Sequence, residues 1–151
     1  MGKYTFDETD WKIVDLLAQD GRITAKAIAH ELGLAEATIR NRLNRLISSG
    51  KLKVAGLINH DAFENKVVAF VAVEIQEVKN LDAVGQQISK LPSVQNVSIV
   101  SGGYDFLIEI LVSSNKGIIQ FLQDELSTIE GIGKTETHLI LKSFNKWVSP
   151  V

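Results

Sequence analysis

The chain has 151 residues, 45% of them hydrophobic, with 18 acids against 16 Lys/Arg and a net charge of -2. This supplies enough apolar material for one domain or two small ones, and it excludes wholesale disorder. The absence of cysteine excludes disulfides, thiolate metal sites and cysteine nucleophiles.

The opening residues MGKYTF lack the apolar core of a signal peptide, and the longest apolar run, Val67 to Val73, is too short to span a bilayer. The expectation is a soluble, cytoplasmic protein.

In chain order, Asp7-Glu8 begin a first helix, since acids in a first turn are favoured by the helix dipole. Its stripe of Phe6, Ile13, Val14, Leu16 and Leu17 is interrupted only by Asp10, and Gln19-Asp20-Gly21 ends it. Thr24 is placed to cap a second helix, whose stripe is Ala25, Ile28, Ala29 and Leu32. Gly33 supplies a tight turn. A third helix then runs from about Ala35 to Ser49 with Ile39, Leu43, Leu46 and Ile47 on one side, and Gly50 follows its end. Two short amphipathic helices across a glycine turn are the helix-turn-helix signature. Residues 51–58 alternate apolar and polar and read as the two small strands of a wing, closing a first domain of residues 1–58. Residues 59–66 show no periodicity and read as a linker.

Residues 67–151 change character. Val67 to Ile75 is a β-branched and aromatic strand; Leu81, Val84, Ile88 and Leu91 mark a helix stopped by Pro92. Val94 to Ser101 and Tyr104 to Ser113 read as strands around Gly102-Gly103. Asn115 is placed to cap a helix carrying Ile118, Ile119, Leu122, Leu126 and Ile129, and Lys134 to Phe144 forms a last strand. The order β-α-β-β-α-β predicts a ferredoxin-like domain: a four-stranded antiparallel sheet with two helices on one face. Its other face keeps apolar side chains, which points to packing against a second subunit. The fold class is therefore α+β, a winged helix-turn-helix followed by a ferredoxin-like domain.

On the third helix, Ala37, Arg40, Asn41 and Asn44 stand opposite the apolar stripe, flanked by Thr38, Arg42 and Arg45. Arg and Asn pair bidentately with guanine and adenine edges, and Thr and Arg also hold phosphates. Small Ala37 allows close approach to a groove floor. Asn41 is expected to read a base and Arg42 to hold phosphate; Thr24, Lys51 and Lys53 complete the DNA-facing set. Charge agrees with this placement, since residues 33–57 hold five Lys/Arg against one acid. A helical hairpin that binds protein would show a similar polar face; three helices and a basic wing favour DNA.

Ser101-Gly102-Gly103-Tyr104-Asp105 forms a second candidate. Its glycines leave backbone N–H groups able to hold a carboxylate, and Asp105 could receive an ammonium group, a pairing suited to an amino acid zwitterion. Taken alone, the pentapeptide reads first as a plain turn between strands. Thr135, Glu136 and Thr137 offer further polar groups. His30, His60 and His138 are widely separated without metal-ligand spacing, and no phosphate loop, nucleophile elbow or HExxH is present. No metal or cofactor is expected.

The chain resembles the Lrp/AsnC family, the leucine-responsive or feast/famine regulators of bacteria and archaea. The residues that carry the resemblance are Asp7, Asp10, Ile13 and Val14, then Gln19, Gly21 and Arg22, then Ile28, Ala29, Leu32, Gly33 and Leu34. They continue through Thr38, Ile39, Arg42, Leu43 and Leu46 to Ser49, Gly50 and Leu52. In the second half they are Gly102, Tyr104, Asp105, Gly131, Ile132, Thr135 and Thr137. The resemblance implies a transcription regulator that binds double-stranded DNA, assembled as a homodimer and further into a ring such as an octamer. It also implies a small-molecule effector, usually an amino acid, held between dimers. Carried across, it marks Ser101, Gly102, Gly103, Tyr104 and Asp105 with Thr135, Glu136 and Thr137. Ala35 departs from the family, whose members often carry Ser or another capping residue there.

Two alternatives stay open. Relatives of this architecture act as enzymes on tetrapyrroles, but such a site wants an Arg/His-rich cluster, and residues 67–151 hold no Arg and only His138. The other is an assembly or sensor protein whose helix-turn-helix no longer binds DNA.

Overall fold

The computed structural model describes residues 5–59, 62–76 and 80–149. His60 and part of the expected linker lie outside these residues. The chain divides into two compact units, Met1–Gly56 and Leu57–Val151.

The first unit is three helices. α1 (Glu8–Gln19) opens with a capping box: the Asp7 carboxylate accepts from the Asp10 backbone N–H, and the Asp10 carboxylate accepts from that of Asp7. Two orphan N–H groups of the first turn are thereby satisfied. α2 (Ala25–Leu32) is capped by Thr24, whose hydroxyl accepts from Ala27 N at 3.2 Å. Gly33 ends it at φ 65°, ψ 34°, a left-handed conformation that costs a side-chain-bearing residue and that makes the turn into α3 (Glu36–Ser48) short. Ile13, Ile28, Ala29, Ile39 and Leu46 are buried together, with Phe6, Leu16, Leu17, Leu43 and Leu52 packed against them. Ile47, counted in the apolar stripe of the third helix, is half exposed instead. It falls next to Leu46 and has turned past the edge of the buried face.

The expected wing does not form as two strands. Residues 51–57 carry no strand. β1 (Ile58–Asn59) pairs antiparallel with β6 (Trp147–Val148), within the second unit. An isolated hairpin of a few residues is marginal in water, and Ile58-Asn59 finds its backbone partners near the other end of the chain.

The second unit holds β2 (Val67–Ile75), α4 (Leu81–Ile88), β3 (Val94–Ile99), β4 (Phe106–Val112), α5 (Asn115–Gln120) and β5 (Ile132–Leu139). All pairs are antiparallel in the order β3-β4-β2-β5, with Val71 opposite both Ile108 and Thr137. This is the ferredoxin-like sheet. Its buried face comprises Ala69, Val71, Val73, Phe106, Ile108 and Ile110, packed with Ile88 of α4 and with Phe121 and Leu126 beyond α5.

Ser114, rather than Asn115, caps α5, its hydroxyl accepting from Gly117 N. α5 then widens into a π-helical turn over Phe121–Glu125, in which Leu126 N–H donates to Phe121 O. Phe121 and Leu126, the two residues that i to i+5 bond joins, are both buried in the core, while Ile119 stays 54% exposed. The 3.6-residue period picked Ile119 and overlooked Phe121 because it assumes no change of pitch.

Candidate nucleic-acid interface and effector site

α3 presents two chemically distinct sides. Ile39 and Leu46 are fully buried, whereas Ala37, Thr38, Arg40, Asn41, Asn44 and Arg45 are exposed. Thr38, Asn41, Arg42 and Arg45 line a shallow concavity of about 290 Å³ along the helix. Of the residues expected to face DNA outside α3, Lys51 and Lys53 are exposed on the strandless segment after it, and Thr24 is engaged as the cap of α2.

The basic residues of α3 are not equivalent. Arg40 lies along the helix against Glu36, donating from Nε at 2.9 Å and Nη2 at 2.5 Å. Arg42 is 24% exposed and turns inward, its Nη1 donating to Asp7 Oδ2 at 2.6 Å and to Asp10 Oδ1 at 2.8 Å. The guanidinium beside Asp7, helped by the Asp10 N–H, holds the Asp7 carboxyl below its usual range. Hydrogen bonds to Asp7 and then Asp10 push the Arg42 pKa further up. Asp10, the interruption in the apolar stripe of α1, is fully buried. A charge at a core position was the sequence signal for this contact; its partner lies 32 residues away.

In the second unit, Ser101, Gly102 and Gly103 are exposed at the β3–β4 connection, with Gly102 at φ 143°. That φ favours glycine and leaves the backbone open to solvent. Tyr104 closes the connection by donating its hydroxyl to Glu136 of β5, and Lys134 Nζ lies 5.6 Å from the Tyr104 ring centroid. His138 Nε2 stands 3.4 Å from Glu136 Oε1. The Tyr104 hydrogen bond, aided by the charges of His138 and Lys134, holds the Glu136 carboxyl below its usual range, and the same bond raises the phenol.

Asp105 is already engaged. Its Oδ2 accepts from Ile75 N at 2.7 Å, and its N–H donates to Val73 O at 2.9 Å, extending the β2–β4 pairing past the end of β4.

The structure also divides the β5 residues. Glu136 lies opposite Ala72, on the sheet face away from the helices; Thr135 and Thr137 lie opposite Val73 and Val71, on the helix side. Thr135 joins Leu126, Ile129, Gly131 and Ile132 around a separate concavity of about 450 Å³. Tyr104 and Glu136 are therefore brought together, while the threonines face the other way. Lys134 and His138, which complete the charged surroundings of Glu136, were not picked out by sequence reasoning. Among the described residues, no group of three or more His, Asp or Glu is gathered to hold a metal ion, and no helix is long and apolar enough to cross a membrane.

Comparison with known proteins addresses both units. A family model described as the AsnC-type helix-turn-helix domain matches residues 6–47, and one described as the Lrp/AsnC ligand binding domain matches residues 68–147. An HTH-type transcriptional regulator of Pyrococcus abyssi is 36% identical over 146 residues, spanning 96% of this chain and 91% of the relative. The leucine response regulatory protein of Mycobacterium tuberculosis superposes with a TM-score of 0.79 at 25% identity, over 93% of this chain and 96% of that one. A transcriptional regulator of Neisseria meningitidis, solved as its L-Met complex, superposes with a TM-score of 0.71 at 24% identity, over 94% of each chain. With the helix-turn-helix and the ferredoxin-like sheet both in place and both family models matched in order, the chain belongs to the Lrp/AsnC family of HTH-type transcriptional regulators.

Proposed function

We propose that this regulator reads duplex DNA through the exposed face of α3, acts as a homodimer, and changes its binding when a free amino acid occupies the surface beside residues 101–105. The observation that carries the DNA reading is the two-sided α3. Its apolar side is fixed in the core, and Thr38, Asn41 and Arg45 line one polar concavity on the other. Such a helix carries base-reading and phosphate-holding groups together.

For the effector, the exposed backbone at Ser101–Gly103 suits a carboxylate, and the ammonium group has Glu136 as its partner in place of the engaged Asp105. The Neisseria regulator's L-Met complex is an instance of this fold with an amino acid. For the dimer, Leu141, Phe144 and Trp147 are 88%, 83% and 54% exposed, an apolar surface that a second copy would cover.

Thermal unfolding in the presence of each of the twenty amino acids tests the effector, because a ligand that binds only the folded state raises the midpoint. A rise with one or a few is expected, and a flat response throughout would count against an amino-acid sensor. Gel shift with a duplex enriched from a random pool tests the DNA reading. Asn41→Ala should lose about 1–3 kcal/mol and relax preference at one base position; binding indistinguishable from wild type would remove Asn41 from the interface.

A further inference from the structure

Arg42 sits among the polar residues of α3, yet its guanidinium turns toward carboxylates of α1. One nitrogen, Nη1, reaches both Asp7 and Asp10, at 2.6 and 2.8 Å. The same two carboxylates cap α1. Arg45, three residues along, leans toward this group, with Nη2 3.9 Å from Asp10 Oδ2. A single side chain thus ties the first turn of α1 to the middle of α3.

The helices also meet through Ile13, Ile39 and Leu46. Apolar contact is non-directional, whereas charge-assisted hydrogen bonds to two fixed oxygens define an angle. A guanidinium whose charge is already offset by two carboxylates also neutralises little phosphate charge, and so displaces few of the cations condensed on DNA.

We propose that Arg42 is a positioning residue and not a DNA contact: with Asp7 and Asp10 it forms a latch that fixes how α3 is presented to the groove, and so sets discrimination between DNA sequences. This replaces the expected phosphate contact and rests on the DNA-binding reading above.

The test measures affinity for two duplexes across a salt series. One is enriched from a random pool by the wild-type protein; the other is its scrambled counterpart. Arg42→Ala and Asp10→Asn should each lower the ratio of the two affinities about tenfold, the size of one mismatched base pair. The slope of log K against log salt should stay unchanged, and the double variant should lose no more than either single one. Asp10→Asn keeps the side-chain shape and serves if Arg42→Ala does not fold. Asp7→Asn, at the exposed end of the latch, keeps a capping residue and should show a smaller fall of the same kind. Circular dichroism at the assay temperature ensures that folded protein is compared.

The latch is overturned if Arg42→Ala flattens the salt slope by about 1 while the ratio holds, which is the behaviour of a phosphate contact. Full discrimination by Asp10→Asn would overturn it equally, as would a uniform loss on both duplexes, which general destabilisation produces. If the wild-type protein enriches no duplex at all, the DNA reading fails first and the latch falls with it.

Discussion

Tyr104 and Glu136 are 32 residues apart, and their hydrogen bond couples the exposed β3–β4 connection to the edge strand β5. The Glu136 carboxyl is lowered from 4.5 and the Tyr104 phenol is raised from 10.0, each with that bond as the leading cause. The contact therefore contributes fully between those two values. It is lost as pH falls through the depressed carboxyl value, and again as pH rises through the elevated phenol value. Tyr104→Phe should abolish the elevated phenol titration, read by tyrosinate absorbance, and return Glu136 toward the ordinary carboxylate range, read by NMR. Both residues were legible as polar candidates in the sequence, but their pairing was not, because it depends on which strands become neighbours. Asp105 shows the converse. Its charge suggested an ammonium partner, and the sheet instead uses it to accept from Ile75 N.

The helices of the first unit follow from local chemistry. Asp7, Thr24 and Gly33 act where their side chains, or the lack of one, predict, because caps and left-handed turns involve partners only a few residues away. α3 is the exception at its start: Ala35 occupies the cap position and makes no side-chain hydrogen bond. Ala35→Ser should stabilise the protein by about 1 kcal/mol, measured as a shift in the denaturant midpoint. After α5, the π-helical turn decides which side chains count. Phe121→Ala should cost about 3–5 kcal/mol, as expected for emptying a core aromatic site. Ile119→Ala should stay within about 0.5 kcal/mol, since its side chain is more than half exposed. Residues two apart lie on opposite sides of a helix, so the pair of variants reports which side of α5 faces the core.

The sheet of the second unit buries its helix-facing side within one chain. Its other side is partly covered by the chain's own later residues, where Lys146 pairs with Glu109 at 2.5 Å and lies 5.5 Å from the centroid of the Phe70 ring. Beside this cover, Leu141 and Phe144 remain almost fully exposed. Under the proposed dimer, Leu141→Ser combined with Phe144→Ser should lower the mass seen by light scattering to that of the 16.6 kDa monomer without lowering helix content; an unchanged mass would place the dimer surface elsewhere. The sequence by itself determined the helix-turn-helix and the β-α-β-β-α-β order, because periodicity, caps and glycine turns are set over a few residues. It also marked the polar face of α3 and the open turn at Gly102. Only the tertiary structure decided what those groups do. Arg42 turns to α1 and Asp105 to the sheet, Tyr104 meets Glu136, and Ile58-Asn59 pairs with the C-terminal strand instead of building a wing. Each of these contacts joins residues 30 to 90 positions apart. A charged or hydrogen-bonding side chain goes to the nearest partner in space, and local sequence pattern carries no record of which distant partner folding brings within reach.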